Sequence, residues 1–142
     1  MEKLHKWINE IDNFQHCCEI LKQKEENVLS PVLTDRGKIH LILDWILDIC
    51  QDNPHVVLQP FRPTDYYLLI CSLLYSPKVF AGEFMERGLR QQFARQLGVS
   101  NSHISNSIRK IREWYRYYID FKQSADYLFI EITERIKVHE LN

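Results

Sequence analysis

Apolar residues recur three and four positions apart along most of this chain, which is the spacing of one face of an α-helix. The sharpest example runs from Leu89 to Tyr118 and is interrupted once, at Gly98. Glycine readily adopts the left-handed conformation that ends a helix, and Ser100 is placed to cap the helix that follows. Ala94, four residues before the glycine, is small where two helices would cross closely. The stretch predicts a helix-turn-helix motif with a long second helix.

The same apolar positions predict how the two helices meet. Apolar side chains on both helices would form a wedge between them, and the second helix would keep one stripe against the core. The predicted wedge is Phe93, Leu97, Val99, Ile104 and Ile108, and the stripe continues through Ile111, Tyr115 and Tyr118.

Opposite this stripe, the second helix carries small polar and basic side chains. In its first turns these types suit base edges, because Asn can pair bidentately with adenine, Arg with guanine, and Ser with either. The basic residues further along suit phosphate. The predicted DNA-binding set is Ser100, Asn101, Ser102, Ser105, Asn106, Arg109, Lys110, Arg112 and Arg116.

Charge is distributed unevenly along the chain. From Arg87 to Lys122 there are eight Lys or Arg residues against Glu113 and Asp120, a net charge of +6, whereas the whole chain carries −1. The remaining residues therefore sum to −7. A basic island in an otherwise acidic protein indicates a polyanion partner more sharply than the total charge does. Together with the helix-turn-helix pattern, it predicts binding to double-stranded DNA.

The first 28 residues predict a long amphipathic helix with a coiled-coil-like seam. The seam needs a partner, which is either the rest of the chain or a second copy, since helix-turn-helix proteins commonly bind two-fold DNA sites as dimers. The seam residues are Leu4, Trp7, Ile11, Phe14, Cys18, Leu21 and Val28, and the predicted homodimer interface is Leu4, Trp7, Ile11 and Phe14. Ser30-Pro31 predicts a break after this helix.

Apolar residues dominate the middle of the chain. Residues 38–51 are apolar nearly all round, which predicts a helix in the middle of a bundle. Residues 55–61 predict an extended connector or a short strand, and Thr64 is placed to cap a helix over residues 65–75. Residues 79–87 form a short hydrophobic segment that leads into the helix-turn-helix motif.

The last segment, residues 125–139, has an ambiguous pattern. Alternate residues fit a strand, whereas Leu128, Ile132 and Ile136 stack as on a helix. A helix capped by Ser124 is favoured because a single strand would have no pairing partner, and a wing strand is the alternative. The predicted fold class is therefore all-α, a helical bundle that carries a helix-turn-helix, with a winged version as the alternative.

The chain has 142 residues, the length of one ordinary domain with its own core. We expect a single domain over residues 1–142, with helical support and dimerisation in 1–60 and DNA binding in 61–142. Charges in the first twelve residues argue against a signal peptide, and no apolar run approaches the roughly 20 residues that cross a membrane. The expected location is the cytoplasm, with no membrane partner.

Little in the sequence indicates catalysis or a cofactor. The chain has only four glycines and lacks the glycine-rich nucleotide-binding patterns and the serine-nucleophile motif. No cysteine belongs to a C-x-x-C pair, and we expect reduced, buried thiols. The cysteines are Cys17, Cys18, Cys50 and Cys71. We expect no metal, no cofactor and no enzymatic activity.

The order of motifs in residues 61–138 can be compared with a known family. It runs Phe61-Arg62-Pro63-Thr64, Leu73-Leu74-Tyr75, Val79-Phe80 with Gly82, Phe93-Ala94, Ile108-Arg109-Lys110-Ile111-Arg112, and a terminal helix from Tyr127 to Ile136. This order resembles the C-terminal region of the RteC family, regulators carried by conjugative transposons, over about half the chain. The resemblance implies a winged or helix-turn-helix DNA-binding protein that controls transcription of mobile-element genes. It does not imply recombination chemistry.

The sequence thus predicts a sequence-specific DNA-binding transcriptional regulator. The alternative is a non-enzymatic helical module that binds a protein partner through the N-terminal seam and the tyrosine-rich end of the second helix. The two hypotheses differ in salt behaviour, because DNA binding dominated by Arg and Lys contacts weakens steeply as salt rises.

Overall fold

The computed structural model describes residues 2–139, and within this range the chain forms six α-helices and no β-strand. The helices are α1 (Glu2–Leu29), α2 (Ile39–Cys50), α3 (Pro63–Tyr75), α4 (Leu89–Leu97), α5 (Asn101–Tyr117) and α6 (Ile119–His139). Short 3-10 helices, Arg36–Lys38 and Pro77–Ala81, lie before α2 and after α3. The predicted all-α fold class is confirmed. None of the helices in the described range is long and apolar enough to cross a membrane.

The chain divides into two compact units between Ser30 and Pro31. The first unit is the predicted long helix, α1, and none of its described residues is buried. Its apolar seam is exposed, from 44% at Ile11 to 72% at Val28. The second unit contains α2 to α6, so α2 belongs to the same unit as α4 and α5.

Within the second unit, α3 is the helix that is enclosed by its neighbours. Every residue from Tyr66 to Ser72 is buried, and α2, α5 and α6 all pack against this helix. The sequence analysis placed α2 in the middle, which is wrong. Asp44 and Asp48 lie on an exposed side of α2, where Leu47 is also 42% exposed. Charged carboxylates favour a side that faces water, and Asp48 also pairs there with Arg135 at 3.1 Å.

The N-terminus of α3 is stabilised differently from the prediction. The helix begins at Pro63, a residue well suited to the first helical position because its missing N–H would have no helical partner. Arg62 is the residue before the helix, and its backbone N–H donates to Oδ2 of Asp65 at 2.9 Å. Thr64 therefore lies inside the first turn and does not cap it.

The C-terminal segment is helical, so the preference for a helix over a wing strand is confirmed for residues 125–139. Its predicted start is wrong, because α6 begins at Ile119 and Ser124 is buried within it. Instead of capping the helix, the Oγ of Ser124 accepts a hydrogen bond from the backbone N–H of Val57 at 2.9 Å. Tyr66 donates to the carbonyl oxygen of the same Val57 at 2.5 Å. The connector over residues 55–61 is thus held by side chains and forms no strand.

Two of the four cysteines are buried and two are exposed. Cys50 and Cys71 are buried free thiols, and burial raises the pKa of Cys50 to about 11. Cys17 and Cys18 are also free thiols but are exposed, so the prediction that all four are buried is wrong. They lie on α1, a helix without buried residues in the described range, and an apolar sequence pattern alone does not reveal whether a face is covered.

Candidate nucleic-acid interface

A three-residue turn joins α4 to α5, and its geometry follows from Gly98. This glycine has φ of 67° and ψ of 37°, the left-handed conformation that the sequence predicts. A Cβ would be strained at such a φ even where space is open. The N–H of Val99 then donates to the carbonyl oxygen of Ala94 at 3.0 Å, which satisfies a carbonyl near the end of α4.

The cap on α5 also matches the prediction. Ser100 has an extended backbone, and its Oγ accepts from the N–H of His103 at 3.1 Å. The carbonyl oxygen of Ser100 accepts from the N–H of Ile104 at 3.2 Å, the first bond of the helix. Because the cap and the glycine fix both sides of the turn, the first turn of α5 has a defined direction relative to α4.

Apolar side chains hold α4 and α5 together and against α3. Phe93 and Ile104 are fully buried, and Ile108 is 6% exposed. The predicted wedge is confirmed at these positions, while Leu97 and Val99 are half-buried at its edge. The rings of Tyr67 on α3 and Phe93 are nearly perpendicular, with centroids 5.6 Å apart. Burial of one stripe of α5 leaves its other side available for contacts outside the chain.

The structure divides the predicted base-reading residues into two groups. Ser102, Asn106 and Arg109 are exposed on the side of α5 opposite its buried stripe. Asn101 and Ser105 are half-buried, and the Oγ of Ser105 accepts from the Nη1 of Arg90 at 3.1 Å. Three of the five side chains are therefore free to reach a base edge without loss of an internal contact.

The predicted phosphate-contacting residues are also divided. Lys110 and Arg116 are exposed, whereas Arg112 is half-buried beside a cleft. None of the eight cations between Arg87 and Lys122 forms a salt bridge within residues 2–139. Within that part of the chain, no carboxylate within salt-bridge distance neutralises their positive charge, which favours the approach of a polyanion.

One carboxyl group lies near the start of α5. Burial raises the pKa of Asp65, while its hydrogen bond from Arg62 and the charges of Arg62, Lys110 and His103 oppose that rise. Its negative charge lies close to Lys110 and His103, which places one acidic group at the margin of the basic surface.

An aromatic cluster anchors the C-terminal half of α5. Trp114 packs on Phe61 with centroids 5.3 Å apart, and Phe61 lies 4.9 Å from Phe121 at the start of α6. Tyr118 was expected in the buried stripe, which is wrong, because it follows the last residue of α5 and is 55% exposed. Trp114 takes up much of that packing, and a strict four-and-three spacing did not identify it.

Sequence reasoning gave no DNA-binding role to the arginines that precede the turn. Arg87 and Arg90 line a cleft of about 470 Å³ together with Arg109 and Arg112 of α5. The loop that carries Arg87 is held by its neighbour Glu86. The N–H of Glu86 donates to Ser76 Oγ at 2.9 Å, and the carboxylate of Glu86 pairs with Lys78 at 3.1 Å. Arg87 and Arg90 were both counted in the net charge of +6 between Arg87 and Lys122, and that charge was the signal that could have identified them.

The assembled surface suits a negatively charged groove. It has a capped helix with exposed Ser, Asn and Arg side chains in its first turns, flanked by arginines and lysines without acidic partners in the described residues. The width of a DNA major groove, about 12 Å, admits one such helix. No family model, no curated protein and no solved structure matches this chain.

Proposed function

We propose that this protein is a sequence-specific, double-stranded DNA-binding transcriptional regulator. The observation that carries the proposal is the exposure of Ser102, Asn106 and Arg109 on one side of a helix whose opposite side is buried. These side chains contribute hydrogen-bonding groups that can distinguish bases in the major groove. The rigid turn at Gly98 and the cap at Ser100 would hold them in a fixed orientation.

The basic surface supports the second part of such binding. Lys110 and Arg116 are exposed, and Arg87 and Arg90 extend the positive surface beyond α5. Phosphate contacts of this kind position a protein on the duplex, whereas base contacts give the sequence preference. The resemblance to RteC regulators suggests that mobile-element genes are the targets, and this remains part of the proposal.

The experiment is a selection of bound sequences from a random duplex library, followed by titration of the selected site at several salt concentrations. We expect one enriched sequence and an affinity that falls with salt at a logarithmic slope of roughly −3 or steeper, as for three or more phosphate contacts. A scrambled duplex of the same composition is the control. Failure to enrich any sequence, or an affinity that does not depend on salt, would contradict the proposal.

A second candidate function is favoured by one observation on α1. Its seam residues Leu4, Trp7 and Phe14 are between 57% and 69% exposed, although apolar side chains of this size are usually covered. The seam could serve a non-enzymatic helical interaction module without any DNA binding. In a DNA-binding regulator the same seam would instead join two copies of the chain, so that two recognition helices meet a two-fold site.

Light scattering at high protein concentration distinguishes these uses of the seam. We propose a homodimer through Leu4, Trp7, Ile11 and Phe14, for which the mass would be twice that of the 17.1 kDa chain. Phe14→Glu would then give a monomer, whereas Gln15→Glu, a matched change at the next exposed position, would not. A monomer for the unmodified protein, both alone and with DNA, would remove the dimer from the proposal.

A further inference from the structure

A second cleft, of about 400 Å³, lies between α3, the 3-10 helix Pro77–Ala81, α5 and α6. This volume falls within the range of about 300 to 1,000 Å³ that is typical of small-molecule sites. Neither Asn106 nor Arg109 lines this cleft, whereas Arg112 lines both this cleft and the one beside Arg87 and Arg90.

The body of the cleft is apolar. Leu69 is buried, and the half-buried side chains Leu73, Phe80 and Phe129 complete its walls. When a ligand covers half-buried apolar groups around a cavity, the removal of their surface from water favours binding by about 25 cal/mol per Å². The shape and composition therefore suit the hydrocarbon or aromatic part of a small molecule.

Charge is concentrated at one side of this apolar cleft. Arg112 and Arg116, one turn apart on α5, both line it, and neither forms a salt bridge within the described residues. One carboxylate, Asp126, also lines it and keeps its negative charge, and its Oδ1 accepts a hydrogen bond from the hydroxyl of Tyr115 at 2.6 Å. The ammonium of Lys122 lies 5.9 Å from the centre of the Tyr115 ring and adds positive charge nearby. The net charge of these four side chains is therefore positive.

We propose that this cleft binds a small amphipathic carboxylate, with its apolar body against Leu73, Phe80 and Phe129 and its anionic head on Arg112 and Arg116. Guanidinium groups bind carboxylates through paired N–H donors, so an anionic head is favoured over a neutral one and a cationic head is repelled. The proposal goes beyond DNA binding and does not depend on it, because the apolar walls are separate from the predicted DNA-binding residues, although Arg112 and Arg116 belong to both sets.

The test uses octanoate as the probe, with octanol and octylammonium as probes of matched body and different head group. Calorimetric titration of the intact chain without DNA should show octanoate binding at least tenfold more tightly than octanol, and no octylammonium binding. Arg112→Gln should weaken octanoate binding about tenfold, as expected for loss of a charged hydrogen-bond donor. Arg95→Gln, an exposed arginine on α4 outside this cleft, is the matched control and should leave the affinity unchanged.

A cavity-filling variant tests the apolar part of the site. Leu73→Phe should abolish octanoate binding while the thermal unfolding midpoint stays close to that of the original protein, which shows that the fold is intact. Octanol binding as tight as that of octanoate, an equal effect of Arg112→Gln and Arg95→Gln, or no octanoate binding at millimolar concentration would each overturn the proposal. Since every measurement is made without DNA, these outcomes leave the proposed DNA-binding function to its own test.

Discussion

The helices α3 and α5 lie against each other but use their surfaces in opposite ways. On α3, each residue from Tyr66 to Ser72 is buried, so packing constrains every position in that run. On α5, burial is confined to one stripe through Ile104, Ile108 and Ile111, which half-buried Trp114 and Tyr115 extend, and most other positions are polar or basic. A helix that is enclosed contributes stability, whereas a helix with only one covered side has residues available for recognition.

This difference separates stability from function at the level of single residues. A substitution at a buried position of α3 should change the free energy of unfolding, and any loss of DNA binding should follow from unfolding. A substitution on the exposed side of α5 should change binding while stability remains nearly constant. The following variants test whether α3 determines stability and α5 determines binding in this way.

The largest effect is expected from Leu74→Ala on α3, where the side chain is 1% exposed. Removing buried methyl groups should lower the free energy of unfolding by about 2 to 5 kcal/mol. Leu47→Ala is the matched control, because Leu47 lies on α2 and is 42% exposed, and it should cost far less. Urea denaturation measures the free energy of unfolding of both variants. Equal decreases at the two positions would show that the greater burial of Leu74 does not make it more important for stability than Leu47.

On α5, Asn106→Ala and Arg109→Ala should each weaken binding to the selected DNA site by about 1 to 3 kcal/mol. Both side chains are exposed, so stability should stay within about 0.5 kcal/mol, and affinity for scrambled DNA should hardly change. Gln123→Ala, an exposed change on α6, is the control. DNA titrations paired with thermal melts make the measurement. An equal loss on selected and scrambled DNA would remove these residues from base reading.

Ser100→Ala should produce a smaller effect on stability, about 1 kcal/mol, because the N–H of His103 would lose its acceptor at the start of α5. The restoring variant is Ser100→Asp, since aspartate also caps helices well. Denaturation curves of the two variants test this directly. Unchanged stability in the alanine variant would show that water replaces the serine oxygen at no cost.

The smallest effect, and the only one expected to favour folding, is that of Tyr67→Phe on α3. The Tyr67 hydroxyl is buried and has no hydrogen-bond partner within the described residues, and its burial raises the pKa of the group. Removing a buried hydroxyl without a partner should leave stability unchanged or raise it by up to about 1 kcal/mol. A clear loss of stability in denaturation curves would indicate that the hydroxyl has a partner such as an internal water.

Local rules predicted the turn of the candidate site well. Gly98 and Ser100 act through bonds to residues within four positions, and such short-range geometry can be deduced from sequence. Ser124 shows the limit of this reasoning, because its partner Val57 is 67 residues away. The sequence offered a plausible cap at that position, and only the tertiary contact shows that the serine serves another segment.

The cleft lined by Arg87 and Arg90 shows the same limit for the site. Arg90 and Ser105 are 15 residues apart and are brought together only when α4 packs on α5. Helical periodicity placed Ser105 among the base-reading positions, but it could not reveal that an arginine from the other helix already donates to it. Exposure on a helix is a property of one element, whereas availability for a ligand depends on all its neighbours.

The hydrogen bonds at Val57 also affect how the molecule opens. Its N–H donates to a buried serine of α6, and its carbonyl oxygen accepts from Tyr66 of α3, although the residue itself belongs to no helix or strand. Exchange of this amide hydrogen with solvent should therefore require the connector to separate from α6. The amide would report on the docking of the connector onto the helices, a local opening of the second unit that helical amides do not detect.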